Sequence, residues 1–361
     1  MLSSWPKLDP TKALELLDAK YPDPIVRSYA IGCLEDMDDG RCSTFLLQLT
    51  QVLKYEHYHD SALAHFLIRR AWRNPNRIGF DFFWYLKAEL HVPHITERFV
   101  VLLELYLRGC SSVHRSELSK QNYLLSCLTT AANKIKDKSL KEKTAERLVI
   151  LHNELSAIQF PKSLLLPLDP RISVRGLVIQ KCKFMDSKKL PLWLTFVNSE
   201  VGADNVRVLF KCGDDLRQDV LTLQMIRLMD KFWKEEGGLD LRLNPYKCLA
   251  MANEVGMIEV VLNAETIATI NKEAGGALSV LQKDTLLNWL KEQNPSEREL
   301  KQAVDTFVLS TAGYCVATYV LGVGDRHNDN IMLTKSGNFL HIDFGHFLGH
   351  VKKIAGIKKE R

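Results

Sequence analysis

Gly324-Asp325-Arg326-His327-Asn328-Asp329-Asn330, followed shortly by His341-Ile342-Asp343-Phe344-Gly345, is the stretch on which the reading of this 361-residue chain turns. Asp325 and Asn330 stand five positions apart. Asp343 follows the short apolar run Phe339-Leu340, the place expected for a metal-binding residue at a strand end. Between the two blocks, Ser336-Gly337-Asn338 reads as a hairpin turn. The amide oxygen of Asn330 and the carboxylate of Asp343 are hard oxygen donors of the kind Mg²⁺ takes, and transfer of a γ-phosphoryl group needs that ion bridging the phosphates. Asp-Phe-Gly alone is a common tripeptide, and so is an Asp and an Asn at this spacing. Both together, at close range and after a long apolar helix, are specific.

Working outward, the segment before the loop, residues 307–324, is rich in Val, Ala, Leu and Tyr. It is interrupted by Ser310, Thr311 and Thr318 and bounded by Asp305 and Asp325. That is barely long enough to span hydrocarbon, so a buried core helix is expected. The first third of the chain carries apolar residues at helical spacing, with helices predicted near 42–55, 60–72, 79–90 and 94–109. Asp9-Pro10 and Asp23-Pro24 each offer a carboxylate N-cap followed by proline at the first helical position. Short polar breaks such as Asn74-Pro75-Asn76 and Val92-Pro93-His94 separate the helices, which suggests antiparallel pairs stacked as a solenoid or bundle. A Lys-rich stretch over 116–143 is expected to hold a connecting helix. Beyond Leu164 the runs become β-branched and aromatic: Leu177-Val178-Ile179, Leu192-Trp193-Leu194-Thr195-Phe196, Val206-Arg207-Val208-Leu209-Phe210 and Met257-Ile258-Glu259-Val260-Val261. Helices are expected again near 215–235, 284–293 and 297–321, which makes this part α+β.

Composition agrees with a folded, soluble protein, 46% hydrophobic and 25% charged. The eight cysteines are scattered with no C-x-x-C pair, which points to reduced thiols in the cytosol rather than a disulfide framework or a zinc site. The N-terminus lacks the pattern of a signal peptide. Net charge is a modest +5, but over residues 346–361 five basic side chains (Lys352, Lys353, Lys358, Lys359 and Arg361) are opposed by Glu360 alone.

The order Asp-Arg-His, rather than the His-Arg-Asp of protein kinases, together with His-Ile-Asp-Phe-Gly-His, closely resembles the signature of phosphoinositide 3-kinases and the related large kinases. Phe210-Lys211-Cys212-Gly213-Asp214-Asp215-Leu216-Arg217-Gln218-Asp219 resembles their strand-to-helix segment. The run from Ala312 through Tyr314 and Tyr319 to Gly322 resembles the helix feeding the catalytic loop. Val52-Leu53-Lys54-Tyr55-Glu56 and Phe82-Phe83-Trp84-Tyr85-Leu86-Lys87 resemble the helical domain of class I members. The resemblance covers essentially the whole chain. It implies an all-α, solenoid-like helical domain over 1–115, followed by a two-lobed α+β kinase-like domain over 116–361, with linker helices and N-lobe to about 261 and a truncated C-lobe over 262–361.

The resemblance also implies roles, with ATP and Mg²⁺ as cofactors. Lys211 would hold ATP phosphates as a point charge. Ser187 would contact phosphate from a covering loop that is not glycine-rich here. Asp219 and Tyr246 would stand in the inner nucleotide pocket, Glu259 and Val261 in the hinge pairing with adenine, and Met332 and Ile342 along the adenine slot. Asn330 and Asp343 would bind metal. His327 would sit against the transferring phosphate, and Asp325 or His346 would act on an inositol 3-hydroxyl. Lys352-Lys353 and Lys358-Lys359-Glu360-Arg361 would recognise the 4- and 5-phosphates of phosphatidylinositol 4,5-bisphosphate and an anionic leaflet.

The expected protein is thus a cytoplasmic lipid kinase recruited to the plasma membrane. A phosphoinositide lipid, a regulatory or adaptor subunit and a small GTPase are its expected partners, and nucleic acid is not. The family pattern departs at Lys247, where glycine is usual, and at Met251-Ala252-Asn253-Glu254, in place of a Gly-Asp turn. The chain is expected to be incomplete, with further C-lobe helices beyond Arg361 and Ras-binding, C2 and adaptor-binding domains before Met1. A non-catalytic binding module is the competing expectation for the chain by itself.

Overall fold

The computed structural model describes residues 5–137, 144–275 and 284–349, together with the backbone of two short strands at 353–354 and 357–358. The chain divides into two compact units, one of Met1–Leu216 with Leu249–Glu259 and one of Arg217–Cys248 with Val260–Arg361.

The first unit begins with helices α1 (Pro10–Ala13), α2 (Pro24–Leu34), α3 (Asp39–Val52), α4 (Ala62–Arg73), α5 (Phe80–Ala88), α6 (Pro93–Gly109), α7 (Ser112–Ile135) and α8 (Thr144–Ser156). The helix starts follow the predicted chemistry. Asp23 caps α2 by accepting from the amides of Ile25 at 2.7 Å and Val26 at 3.4 Å, with Pro24 in the first turn. Asp9 does the same for α1. α4 shows why such segments fold as helices. Leu63, Ala64, Phe66, Leu67, Ile68 and Ala71 recur on one face and are buried, while Arg70 and Arg73 meet the negative end of the helix. One buried polar chain in this packing is matched end to end: the buried Trp84 indole donates to Gln121 Oε1 at 3.0 Å, and Gln121 Nε2 donates to the Leu165 carbonyl at 2.8 Å.

These helices share one hydrophobic core with an antiparallel sheet of β1 (Leu164–Leu166), β2 (Asp169–Leu177), β3 (Lys183–Phe184), β4 (Leu192–Asn198), β5 (Val206–Cys212), β6 (Cys248–Ala252) and β7 (Val255–Glu259). The strand order is β1-β2-β4-β5-β7-β6, with β3 on β4. Alternation buries Leu192, Leu194 and Phe196 on β4 and Val208 and Phe210 on β5. Two expected strands end early. The run Leu177-Val178-Ile179 leaves β2 after Leu177, because the Lys181 amide closes onto the Val178 carbonyl at 2.9 Å and makes a 3₁₀ turn of Ile179–Lys181. β7 stops at Glu259, so Val260 and Val261 lie beyond the ladder.

The second unit holds α9 (Arg217–Glu235), β8 (Ala264–Thr266), α10 (Ile267–Glu273), α11 (Thr285–Gln293), α12 (Glu297–Leu321), β9 (Ile331–Thr334) and β10 (Phe339–His341). The three strands pair in the order β10-β9-β8, over a core of Ile267, Ile270, Trp289, Leu290, Ala303 and Leu333. α12 is capped by Ser296, whose hydroxyl accepts from the Glu299 amide at 3.2 Å, and closes on left-handed Gly322. Among the described residues it is long and apolar enough to cross a membrane by length and composition. The expectation of a buried core helix holds for one face only. Ala303, Thr306, Ser310, Gly313, Tyr314, Ala317 and Leu321 are buried, while Val308, Val316, Tyr319 and Val320 are exposed. The predicted hairpin is present: β9 and β10 pair through Leu333↔Phe339 and Ile331↔His341. Gly337 in its turn has φ +90°, and a Cβ there would stand 2.7 Å from the carbonyl carbon of Ala303 on α12. Farther on, β11 (Lys353–Ile354) and β12 (Ile357–Lys358) pair through Lys353↔Lys358.

Candidate active site

The loop after α12 and the hairpin β9–β10 assemble the sequence-predicted catalytic residues of the second unit. Asn330 closes a 3₁₀ turn of Asn328–Asn330 and enters β9, and its own carbonyl accepts from the Ile342 amide at 2.9 Å. Asn330 and Asp343 are thereby set next to each other, one at the start of β9 and one just past the end of β10. The Asn330 side chain is buried, and its Nδ2 donates to the Asp325 carbonyl at 2.9 Å. That bond fixes which end of the amide is committed and leaves Oδ1 as the acceptor. The Asp343 carboxylate is exposed, and among the described residues no hydrogen bond or ion pair engages it. Two such oxygens fit Mg²⁺, which takes one or two protein oxygens and fills its shell with water and substrate phosphates.

Two aspartates of the site adopt an unusual backbone conformation. Asp325 has φ +54° and Asp343 φ +60°, in the left-handed region that costs a residue with a Cβ about 1–2 kcal/mol. Around them the loop is closed by main-chain bonds, Gly324 N–H to the His346 carbonyl at 2.7 Å and Leu348 N–H to the Leu321 carbonyl at 2.9 Å. His346 is therefore brought beside Gly324 and Asp325. His327 is exposed, and its Nδ1 accepts from the Asp329 amide at 3.3 Å, with the Asp329 carboxylate 3.5 Å from the same atom. An Nδ1 that accepts places the ring proton on Nε2, which is then a donor.

Asp219, on α9, is buried, and its Oδ1 accepts from the amide of Phe344 at 3.1 Å, immediately after the metal-type aspartate. Tyr246 is buried as well. Burial first, and then the Asp219 carboxylate, push its phenol well above the ordinary value, so it stands as a neutral hydroxyl. Arg227 of α9 donates to the Tyr246 carbonyl and holds that segment. Met332 and Ile342 are half-buried on and just after the hairpin strands, and Val261 is half-buried in the connection before β8. His341, stacked on Tyr314 with ring centroids 5.5 Å apart, is pulled down to about 4 by burial and then by the charge of Arg326.

Three predicted residues belong to the first unit. Lys211 lies on β5 opposite Gly256, with Nζ 2.8 Å from Asp214 Oδ2. The turn after it is held by the Gly213 and Asp214 amides, which donate to the Glu254 carbonyl at 2.7 and 3.1 Å. Glu254 itself has φ +53°, in the stretch where the family's Gly-Asp turn is replaced. Two lysines that the sequence did not single out, Lys136 and Lys189, donate to the Cys212 and Gly213 carbonyls of the same turn. Ser187 is exposed in the connection between β3 and β4, where the Leu190 amide donates to its carbonyl at 3.1 Å. Glu259 ends β7 and is exposed. Of the predicted substrate residues, Lys352, Lys359 and Arg361 lie outside the described residues. Lys353 and Lys358 are described by backbone alone, as facing positions of the β11–β12 pair.

One residue of the loop after α12 escaped the sequence reading although it stands inside the quoted motif. Arg326 donates from Nε to the Gly324 carbonyl at 2.9 Å, from Nη1 to those of Ile342 at 2.7 Å and Asn330 at 3.4 Å, and from Nη2 to that of Asp343. Only its place between Asp325 and His327 could have signalled it.

Residues 205–361 match the family described as phosphatidylinositol 3- and 4-kinase, and residues 1–120 match the accessory (PIK) domain of the phosphoinositide 3-kinase family. Over its whole length the chain is 57% identical to phosphatidylinositol 3-kinase 2 of Dictyostelium discoideum, 55% to phosphatidylinositol 3-kinase 1 and 43% to phosphatidylinositol 3-kinase 3 of the same organism. It covers 19%, 23% and 21% of those proteins, about a fifth of each.

Proposed function

Because this chain belongs to the phosphatidylinositol 3- and 4-kinase family, we propose that it carries the catalytic machinery of a lipid kinase that transfers the γ-phosphate of ATP to the 3-hydroxyl of phosphatidylinositol 4,5-bisphosphate. The observation that carries this reading is the Ile342–Asn330 main-chain bond, which sets Asn330 opposite the residue that precedes Asp343 and so brings the two oxygen-donor residues onto neighbouring segments of the hairpin. Asn330 Oδ1 and the Asp343 carboxylate would hold Mg²⁺, which when bound neutralises charge on the phosphates.

The remaining steps fall to side chains. Lys211 supplies a point charge for an anionic phosphate oxygen, with Asp214 keeping its ammonium in place until nucleotide arrives. His327, with its proton on Nε2, donates toward the phosphoryl group as charge shifts there. Asp325, or His346 beside it, takes the proton of the attacking hydroxyl. Neutral Tyr246 and buried Asp219 line the inner wall of the nucleotide site in this reading, Asp219 by fixing the peptide that follows Asp343. Ser187 contacts phosphate, Glu259 and Val261 serve adenine through their backbone, and Met332 and Ile342 give it apolar surface.

The basic residues Lys352, Lys353, Lys358, Lys359 and Arg361 are the elements assigned to the lipid headgroup, and they support class I specificity through their charge. The setting is then the cytoplasmic face of the plasma membrane, with an adaptor subunit and a small GTPase as partners. The test is Mg²⁺- and ATP-dependent labelling of vesicles containing phosphatidylinositol 4,5-bisphosphate, by the protein in its full native length and by its Asp343→Ala variant. Label at the 3-position that disappears in the variant is expected, and equal label from both refutes the assignment. Replacing Lys352 and Lys353 by alanine should preferentially reduce use of the bisphosphorylated lipid over phosphatidylinositol.

A further inference from the structure

Arg326 is half-buried, and it is spent on main-chain oxygens. All four hydrogen bonds described for its guanidinium end on carbonyls, those of Gly324, Asn330, Ile342 and Asp343. Two of these carbonyls belong to Asn330 and Asp343 themselves. The other two flank the positions where the backbone is strained: the Gly324 carbonyl is on the peptide leading into Asp325, and the Ile342 carbonyl is on the peptide leading into Asp343. One rigid group therefore ties two segments of chain together at the points that fix the metal-type side chains. Its charge sits over the fully buried Phe344 ring, 5.6 Å from the centroid.

Arginine suits this task for a physical reason. It offers five N–H donors in a fixed planar fork and cannot lose its proton, whereas lysine has three donors on a flexible stem. A carbonyl that loses its donor where water does not replace it is costly, and a left-handed aspartate persists only where its surroundings over-determine it.

We propose that Arg326 is a positioning residue that holds Asn330 and Asp343 at a fixed separation and so sets how tightly the site takes up Mg²⁺ with nucleotide. The assignment rests on the lipid-kinase reading for the identity of that ligand. The same cation also repels Mg²⁺, so removing it has two opposed effects, loss of order and loss of repulsion. The two substitutions Arg326→Lys and Arg326→Gln separate them, because lysine keeps the charge and loses the fork while glutamine loses both.

The measurement is the affinity of the full chain for a fluorescent, non-hydrolysable ATP analogue, titrated with free Mg²⁺ and repeated in chelator, with thermal unfolding recorded for each variant. Supporting groups around a metal site are worth about 10- to 100-fold in metal affinity. Both variants should therefore need about tenfold more Mg²⁺ for half-saturation, with affinity in chelator within about twofold of the parent. A lysine variant with the parent's Mg²⁺ requirement overturns the proposal, and so does a glutamine variant that needs less Mg²⁺. Equal losses with and without Mg²⁺ show a general folding role and also overturn it. If glutamine prevents folding, the lysine variant alone decides. A parent chain that binds no nucleotide in Mg²⁺ refutes the lipid-kinase reading itself, an outcome distinct from any difference between parent and variants.

Discussion

Gly337→Ala is the perturbation that most directly tests how the hairpin is tied to the helix beneath it. Gly337 has φ +90°, and Gly202, in the connection between β4 and β5, has φ +85°. The two glycines thus ask nearly the same backbone conformation of an alanine, at a cost of about 1–2 kcal/mol. They differ in space. A Cβ at Gly202 meets nothing within 4 Å, whereas a Cβ at Gly337 stands 2.7 Å from the carbonyl carbon and 2.9 Å from the Cα of Ala303, and closer still to the carbonyl oxygen. Those neighbours are helix backbone and cannot rotate away, so the turn must lift off α12, and overpacking of this kind adds about 1–3 kcal/mol or more. Gly337→Ala should then lose about 3–4 kcal/mol in urea unfolding, against about 1–2 for Gly202→Ala. The displaced turn joins the strand that follows Asn330 to the strand that precedes Asp343, so Gly337→Ala should also weaken Mg²⁺-dependent nucleotide binding, and Gly202→Ala should not. Equal losses at the two glycines would refute the packing argument, because backbone conformation alone would then account for both.

Three further outcomes follow from named contacts. Asp219→Ala strips the buried Phe344 amide of its acceptor and should cost about 1–3 kcal/mol with faster amide exchange at Phe344, while Asp219→Asn recovers most of it; unchanged exchange would show that the bond is not formed. Gln121→Leu keeps the volume but orphans both the Trp84 indole N–H and the Leu165 carbonyl, for a loss of about 2–4 kcal/mol in urea unfolding. His114 is held below its ordinary value of 6.5 by burial, so above that pH it is neutral folded or unfolded and adds no slope. As pH falls below 6.5 the unfolded chain takes the proton first and stability declines, a decline that His114→Gln should flatten in thermal unfolding at pH 5 against pH 7.

Much of the scaffold was legible because its determinants are local. Asp9-Pro10 and Asp23-Pro24 start helices by capping chemistry that needs no tertiary partner, and the Ser336-Gly337-Asn338 turn announces its hairpin the same way. Ile179 went astray because β-branched character marks a surface that fits a sheet, whereas the 3₁₀ turn is imposed by the Lys181–Val178 bond. α12 misled in another way, since an apolar composition does not say how many faces are covered: Tyr314 is buried and Tyr319, five residues on, is exposed. Within the site, the types and spacing of Asp325, Asn330 and Asp343 were readable. The backbone conformations that aim them, the service of Asp219 to the Phe344 amide and the reach of Arg326 to residues 342 and 343 all depend on long-range closure, which no spacing encodes.

That division has a physical logic. Glycine at positions 325 and 343 would relieve left-handed strain at both, and the chain places glycine close to each of them, at 324 next to Asp325 and at 345 two residues past Asp343, but not on them. Aspartate persists there because the carboxylate is wanted where the backbone least favours a side chain, a cost of about 1–2 kcal/mol each. Such residues stay put only if their surroundings leave them no relaxed alternative. Asp343 is held on its C-terminal side by the Asp219 bond to the next amide, on its N-terminal side by the Ile342 bond to Asn330, and through its own carbonyl by Arg326. Asp325 is held by the Asn330 amide on its carbonyl and by Arg326 on the peptide before it. The strained aspartates and the groups that restrain them thus form one unit, in which Asn330 is at once a metal-type oxygen and a brace. Loosening any brace is therefore expected to move the site's oxygens before it unfolds the fold around them.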